Sequence, residues 1–165
     1  MKGLERQYTR VDTVRQYVDG MLNNLTDPDE RRAGYVHLYG LGQAGALIAL
    51  RRGHDRECAE LAQIAGMLHD FAAYRDGIRE NHAESSSVEA GKILRDAGCF
   101  TAEEIALVCH AIGKHSDKEQ TDAAFDEILK DAGVMQHWLR NPMEEYYFRM
   151  DRTRRIAREF GLVRE

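Results

Sequence analysis

An apolar run that closes on His69 and Asp70, in AELAQIAGMLHD, sets two titratable groups where the chain is otherwise burying alanine, leucine and methionine. Other segments do likewise. His37 follows Val36 and precedes Gly40, Leu41 and Ala44 at helical spacing. The stripe Ile105, Val108, Ile112 lands next on His115, and Asp131 lies three residues after Ile128 on the side of Phe125, Ala132 and Met135. Burying an isolated carboxylate costs several kcal/mol or forces it to take up a proton, so an inward Asp calls for a cation or strong donors. Taken singly, an inward His is more often a hydrogen-bonded core residue, and an Asp at a helix end is more often a cap or an arginine partner. One divalent metal would satisfy all of these groups together. Imidazoles with carboxylates suit Mn, Fe, Co, Ni or Zn without discriminating among them. His-Asp by itself is a weak sign. The second copy, His54-Asp55, follows RRG and precedes a helix, and it reads as an exposed N-terminal cap.

Positioning these groups requires helices, and the chain supplies little else. VDTVRQYVDGMLNNL carries Val11, Val14, Val18, Met21, Leu22 and Leu25 at steps of three and four. Thr26 and Asp27 stand before Pro28 as capping candidates for a second helix running to about Leu50. A third helix begins after Gly53. The serines of SSSVEAGKILRDAG are candidates to cap another, which stops at Gly98. Thr101 and Glu104 have capping-box spacing ahead of IALVCHAIGKH. DAAFDEILKDAGVMQHWL and MEEYYFRMDRTRRIAREF complete the set. With two prolines in 165 residues and no alternating strand pattern, the fold class is all-α. AAYRDGIRENHAESS is the longest irregular stretch, of the kind that often carries function.

Bulk properties narrow the function. The chain is 43% hydrophobic and 31% charged, with a formal net charge of -5, which gives no support to nucleic-acid or membrane binding. The arginines at 149, 152, 154, 155 and 158 are offset by Glu144, Glu145, Asp151 and Glu159 and read as a solvated face. The apolar run ALIAL is too short to span a bilayer. Cys58, Cys99 and Cys109 form no C-x-x-C pair and read as reduced thiols, and MKGLERQYTR lacks an apolar core, so the expected location is cytoplasmic.

In the order His37, His69-Asp70, Asp131, with AELAQIAGMLHD, AIGKHSD and EILKDAGVM around them, the chain resembles the HD-domain superfamily of metal-dependent phosphohydrolases. The resemblance spans roughly residues 30 to 138 of a single expected domain, 1–165, with 1–25 and 143–161 as flanking helices. It implies an all-helical bundle with a metal site in its core. It assigns His37, His69, Asp70 and Asp131 to a first metal. It likens His82, in ENHAESSSVEAG, and His115 to the histidines of members with two ions, where Asp70 bridges both and is central to catalysis. His110 lies five residues before His115, about 140° round a regular helix, and reads as exposed unless the helix distorts near Gly113. His137, beside Trp138, reads as structural.

The implied activity is hydrolysis of a phosphoester by a metal-activated water, on a nucleotide or other small phosphorylated metabolite. Lys114, Lys118 and Arg75 are candidates to hold the phosphoryl oxygens, as is the helix start at Ser85 to Ser87, though such residues are more often surface charges or caps. His-Asp is followed by FAAY, without the Glu-Asp pair that resembles guanosine-tetraphosphate hydrolases. The chain also has no adjacent His-His and no Gly-Tyr-Pro, which counts against a cyclic di-GMP phosphodiesterase. The rival reading is a metal-binding regulatory or scaffold protein that keeps the fold without turnover. A homodimer is a candidate assembly for either.

Overall fold

The computed structural model describes residues 9–77 and 79–163. Most of the leader reading on MKGLERQYTR, and Ile78 of the irregular stretch, therefore lie outside the described residues. Among them run nine helices: α1 (Arg10–Asn23), α2 (Pro28–Arg51), α3 (Arg56–Leu68), α4 (Phe71–Asp76), α5 (His82–Ala97), α6 (Ala102–Lys114), α7 (Ala124–Arg140), α8 (Glu145–Arg149) and α9 (Asp151–Glu159). No strand occurs among the described residues, so the molecule is all-α. No helix among them is long and apolar enough to cross a membrane.

Local chemistry explains where these helices begin. Thr9 and Asp12 form a capping box on α1, and Thr101 and Glu104 form one on α6. Asp27 accepts from the backbone N–H groups of Asp29 and Glu30 ahead of Pro28, and Asp55 accepts from Cys58 N at 2.8 Å. His54-Asp55 is thus a helix entrance.

The stretch read as irregular is more ordered than its composition suggests. α4 fills its first half and ends at Gly77, whose φ of 67° needs the left-handed region. α5 starts at His82, three residues before the serines expected to cap it. The serines lie inside the helix and bond outward: Ser86 Oγ accepts from Ala72 N at 3.2 Å, and Ser87 Oγ donates to Cys109 O at 2.7 Å. They offer no anion-binding helix start.

α2 and α3 cross unusually closely. A Cβ on Gly66 would fall 2.5 Å from the Cα of Gly42, and one on Gly42 would fall 2.7 Å from Gln63 O. That contact brings His37 of α2 alongside the end of α3. Leu38, Leu41 and Ile48 join Ile64, Ala65 and Leu68 in a core that also takes Val14 and Val18 of α1, Leu94 of α5, Ile112 of α6, Ile128 and Leu129 of α7, and Ile156 of α9.

Charge pairs join α9 to α7 beside that core. Asp131, only 1% exposed, accepts from Arg152 at 2.8 Å, Arg155 at 3.3 Å and Arg52, just past the end of α2, at 2.6 Å, and Arg52 also pairs with Glu159. Nearby, the fully buried Lys130 ammonium donates to Asp122 and to Gln120 O. Charges this deep persist because each is matched by partners.

Candidate metal centre

Four helical elements converge on one carboxylate. His37 comes from the middle of α2, His69 and Asp70 from the turn between α3 and α4, His82 from the first position of α5, and His115 from the residue that ends α6. The Nε2 atoms of His37 and His69 each stand 3.3 Å from Asp70 Oδ2, while those of His115 and His82 stand 3.4 and 3.5 Å from Oδ1. All but the half-buried His82 are buried.

The opposite ring nitrogens fix how these imidazoles are protonated. His69 Nδ1 donates to Gly66 O at 2.8 Å, His82 Nδ1 to Arg79 O at 2.8 Å and His115 Nδ1 to Ile112 O at 2.7 Å. His37 Nδ1 donates to the side-chain oxygen of Gln136 at 3.0 Å. A carbonyl can only accept, so the proton of each neutral ring sits on Nδ1 and Nε2 presents a lone pair. Four lone pairs therefore face a carboxylate that has only lone pairs to offer, and Asp70 Oδ1 is buried without a hydrogen-bond partner.

Such a set requires positive charge at its centre. Burial pushes Asp70 up, and it is protons on His69, His115 and His37 that would overrule it and hold the carboxyl below the usual carboxylate range. Protons on the rings would serve, yet burial drives His69 down to about 4 and also lowers His115, in each case against the pull of Asp70. At neutral pH His69 and His115 are thus poor proton carriers, and neutral imidazole is the metal-binding form. Two groups of ligand atoms result, His37–His69–Asp70 and Asp70–His82–His115, sharing the carboxylate. The 3.1 Å between the Nε2 atoms of His37 and His69 suits neighbouring ligands, since metal–nitrogen bonds of about 2.1 Å put cis ligands roughly 3 Å apart. The residues fit a divalent ion, which either group of ligand atoms would hold through Asp70.

The HD domain family model matches residues 34–159. This chain belongs to the HD domain family. The fold is also similar to the crystal structure of a predicted HD superfamily hydrolase from an uncultured Thermotogales bacterium, with a TM-score of 0.64 and 23% identity over 96% of this chain and 89% of that one. At that identity the likeness is one of fold. Comparison with curated proteins finds no match. HD domains bind divalent metals, and the cluster around Asp70 can hold one.

This HD domain departs from the expected site at several positions. Asp131 does not reach the cluster; its two oxygens are taken by Arg52, Arg152 and Arg155, so an inward carboxylate that could have met a metal meets guanidinium groups. Arg75 pairs with Asp76 and Glu89 in a groove of about 860 Å³ between α1, α4 and α5, which shares no residue with the cluster despite its size. Lys114 is exposed at the end of α6 and does not line the metal cavity. Lys118 does line it. His110 stays outside, with Nδ1 3.0 Å from Asp126. His137, read as structural, is part of the cavity wall and meets the His37 ring at 5.1 Å. Ser116, Gly133, Tyr146 and Tyr147 also line the cavity and carried no signal in the motif spacing. Ser116 adjoins His115 in AIGKHSD, and its Oγ lies 3.0 Å from His82 Nε2 and 3.3 Å from His115 Nε2.

Proposed function

We propose that this HD domain is a metal-dependent phosphohydrolase acting on a small phosphorylated metabolite. The observation that carries the reading is the orphaned Asp70 Oδ1 among four imidazole nitrogens, at the buried end of a cavity of about 220 Å³. His37, His69 and Asp70 would hold one ion, and Asp70, His82 and His115 a second. A divalent ion in that position supplies Lewis acidity toward a phosphoryl oxygen and lowers the pKa of water.

The chain's own residues do the rest. The backbone carbonyls behind His69, His82 and His115 lock each ring with Nε2 facing inward, which removes the cost of orienting the ligands. Lys118 lines the same cavity, donates to His115 O at 2.7 Å and packs over Gly133, where a Cβ would stand 3.0 Å from Nζ. Burial lowers the Lys118 ammonium to about 8, so it stays mostly charged at neutral pH and can neutralise phosphoryl oxygens. The Ser116 hydroxyl, beside His82 and His115, is placed to hydrogen-bond a substrate oxygen. Asp131 and its arginines stabilise the scaffold outside this chemistry.

The test is a phosphoester panel run on metal-loaded protein, with elemental analysis of the same sample. The reading expects bound transition metal and turnover that Asp70→Ala abolishes. Stoichiometric metal without turnover of any phosphoester would instead favour the regulatory or scaffold reading.

A further inference from the structure

One wall of the metal cavity is a chain of rings leading from a candidate ligand to the rim. The His137 ring, from α7, meets that of His37 edge-on at 5.1 Å and lies flat on Tyr147 of α8, with centroids 4.0 Å apart and planes 10° apart. Tyr147 then meets Tyr146 at 5.0 Å and 82°. Exposure grows outward: His37 is buried, His137 and Tyr147 are half-buried, and Tyr146 is 65% exposed. His137 and Tyr147 cover one another's faces. Tyr146 lines the same cavity, and among the described residues no ring or cation is stacked on its face.

Size points the same way. At about 220 Å³ the cavity is smaller than the roughly 300–1,000 Å³ that encloses a typical ligand. With its phosphoryl group at the buried histidines and Lys118, a substrate larger than the cavity must project past the rim, where Tyr146 stands. An aromatic face there favours a planar ring, through stacking that tolerates many ring identities.

We propose that Tyr146 is a specificity-determining platform, on which a planar base of the substrate stacks while its phosphate occupies the metal cavity. Nucleoside monophosphates carry such a ring beyond their phosphate. The assignment rests on the phosphohydrolase reading, so its test must be separable from turnover. Calorimetric titration of the metal-loaded protein would use hydrolysis-resistant phosphonate analogues of adenosine 5′-monophosphate and ribose 5-phosphate. The wild-type chain is expected to bind the adenosine analogue about tenfold more tightly, as one stacked base implies. Tyr146→Ala should collapse that difference, and Tyr146→Phe should keep it. Equal affinities in the wild type, a preference surviving Tyr146→Ala, or no binding of either analogue would overturn the platform. Sedimentation showing a dimer that Tyr146→Ala dissolves would overturn it too, by giving the ring to a second copy of the chain. A ring preference without hydrolysis of any phosphoester would sink the enzyme reading and leave the platform standing. Hydrolysis without ring preference would do the reverse.

Discussion

Asp70 is the one residue shared by both candidate ligand groups, so its loss and that of a peripheral histidine should differ in kind. Asp70→Ala is expected to strip the protein of metal altogether, read by elemental analysis. His82→Ala, at the half-exposed edge, should at most halve the content, and unchanged metal in Asp70→Ala would refute its place in both ligand groups. Acid should act through the buried rings. His69 is held at about 4 when folded, against 6.5 for an ordinary imidazole, so between those values the unfolded chain binds more protons and stability falls as pH falls. His137, lowered to about 3 by burial first, adds in the same direction. Urea midpoints of the chelated protein should therefore decline from pH 6.5 toward 4, and rise modestly from 7 to 8 as Lys118, lowered to about 8, loses its proton in the folded state alone; a rise on acidification would contradict this account. Much of the cluster was legible at this scale. His37, His69, Asp70 and His115 announce themselves because imidazole and carboxylate interrupt apolar stripes at helical spacing. His137 did not, because its partners Tyr147 and His37 lie in other segments, and contact across segments leaves no periodicity.

Helices place these residues, and two of their contacts make separate predictions. The α2–α3 crossing has no room for a side chain, so Gly66→Ala must push backbone against backbone at Gly42. Overpacking of this kind costs about 1–3 kcal/mol, and here it would also part His37 from His69. The variant should melt earlier and bind metal more weakly, whereas an unchanged melting temperature would mean that the crossing can relax. The α7–α9 contact tests the correction made at Asp131. Asp131→Ala leaves Arg52 and Arg152 without their shared carboxylate, a loss of about 3–5 kcal/mol when such a pair is truly buried and less here, because Arg52 and Arg155 are partly solvated. Protein that remains folded should keep its metal, while metal lost without destabilisation would restore Asp131 to the ligand set. From sequence the two roles look alike. An inward aspartate is satisfied equally well by a metal or by arginines, and here the arginines lie 21 to 79 positions away in the chain. The serines of α5 failed for a similar reason, since a hydroxyl that could cap its own helix can also bond to Ala72 or Cys109 in another.

Across the whole molecule, the cluster ties together segments that otherwise meet through apolar packing and a few hydrogen bonds and ion pairs. Its candidate ligands come from α2, the α3–α4 turn, α5 and the end of α6, and the intervening chain has no folded reason to hold four imidazoles round one carboxylate once the bundle opens. An ion bound there and absent from the unfolded chain stabilises the fold by mass action, about 2.7 kcal/mol at a free concentration one hundred times its Kd. Because the ligands span most of the core, that stabilisation should appear as a shift of one cooperative transition rather than as a separate local event. The metal-loaded protein is expected to unfold several degrees above the chelated one, since for about 165 residues each kcal/mol moves the midpoint by roughly 2–4 °C. His115→Ala, which removes a ligand, should reduce the shift, while His110→Ala should keep it whole, because His110 faces Asp126 outside the cluster. Equal reductions in both variants would mean that α6 turns differently around Gly113 and brings His110 inward. No metal-dependent shift in the wild-type protein would remove the cation from the centre of the cluster, leaving the buried Asp70 to be neutralised by protons on its histidines.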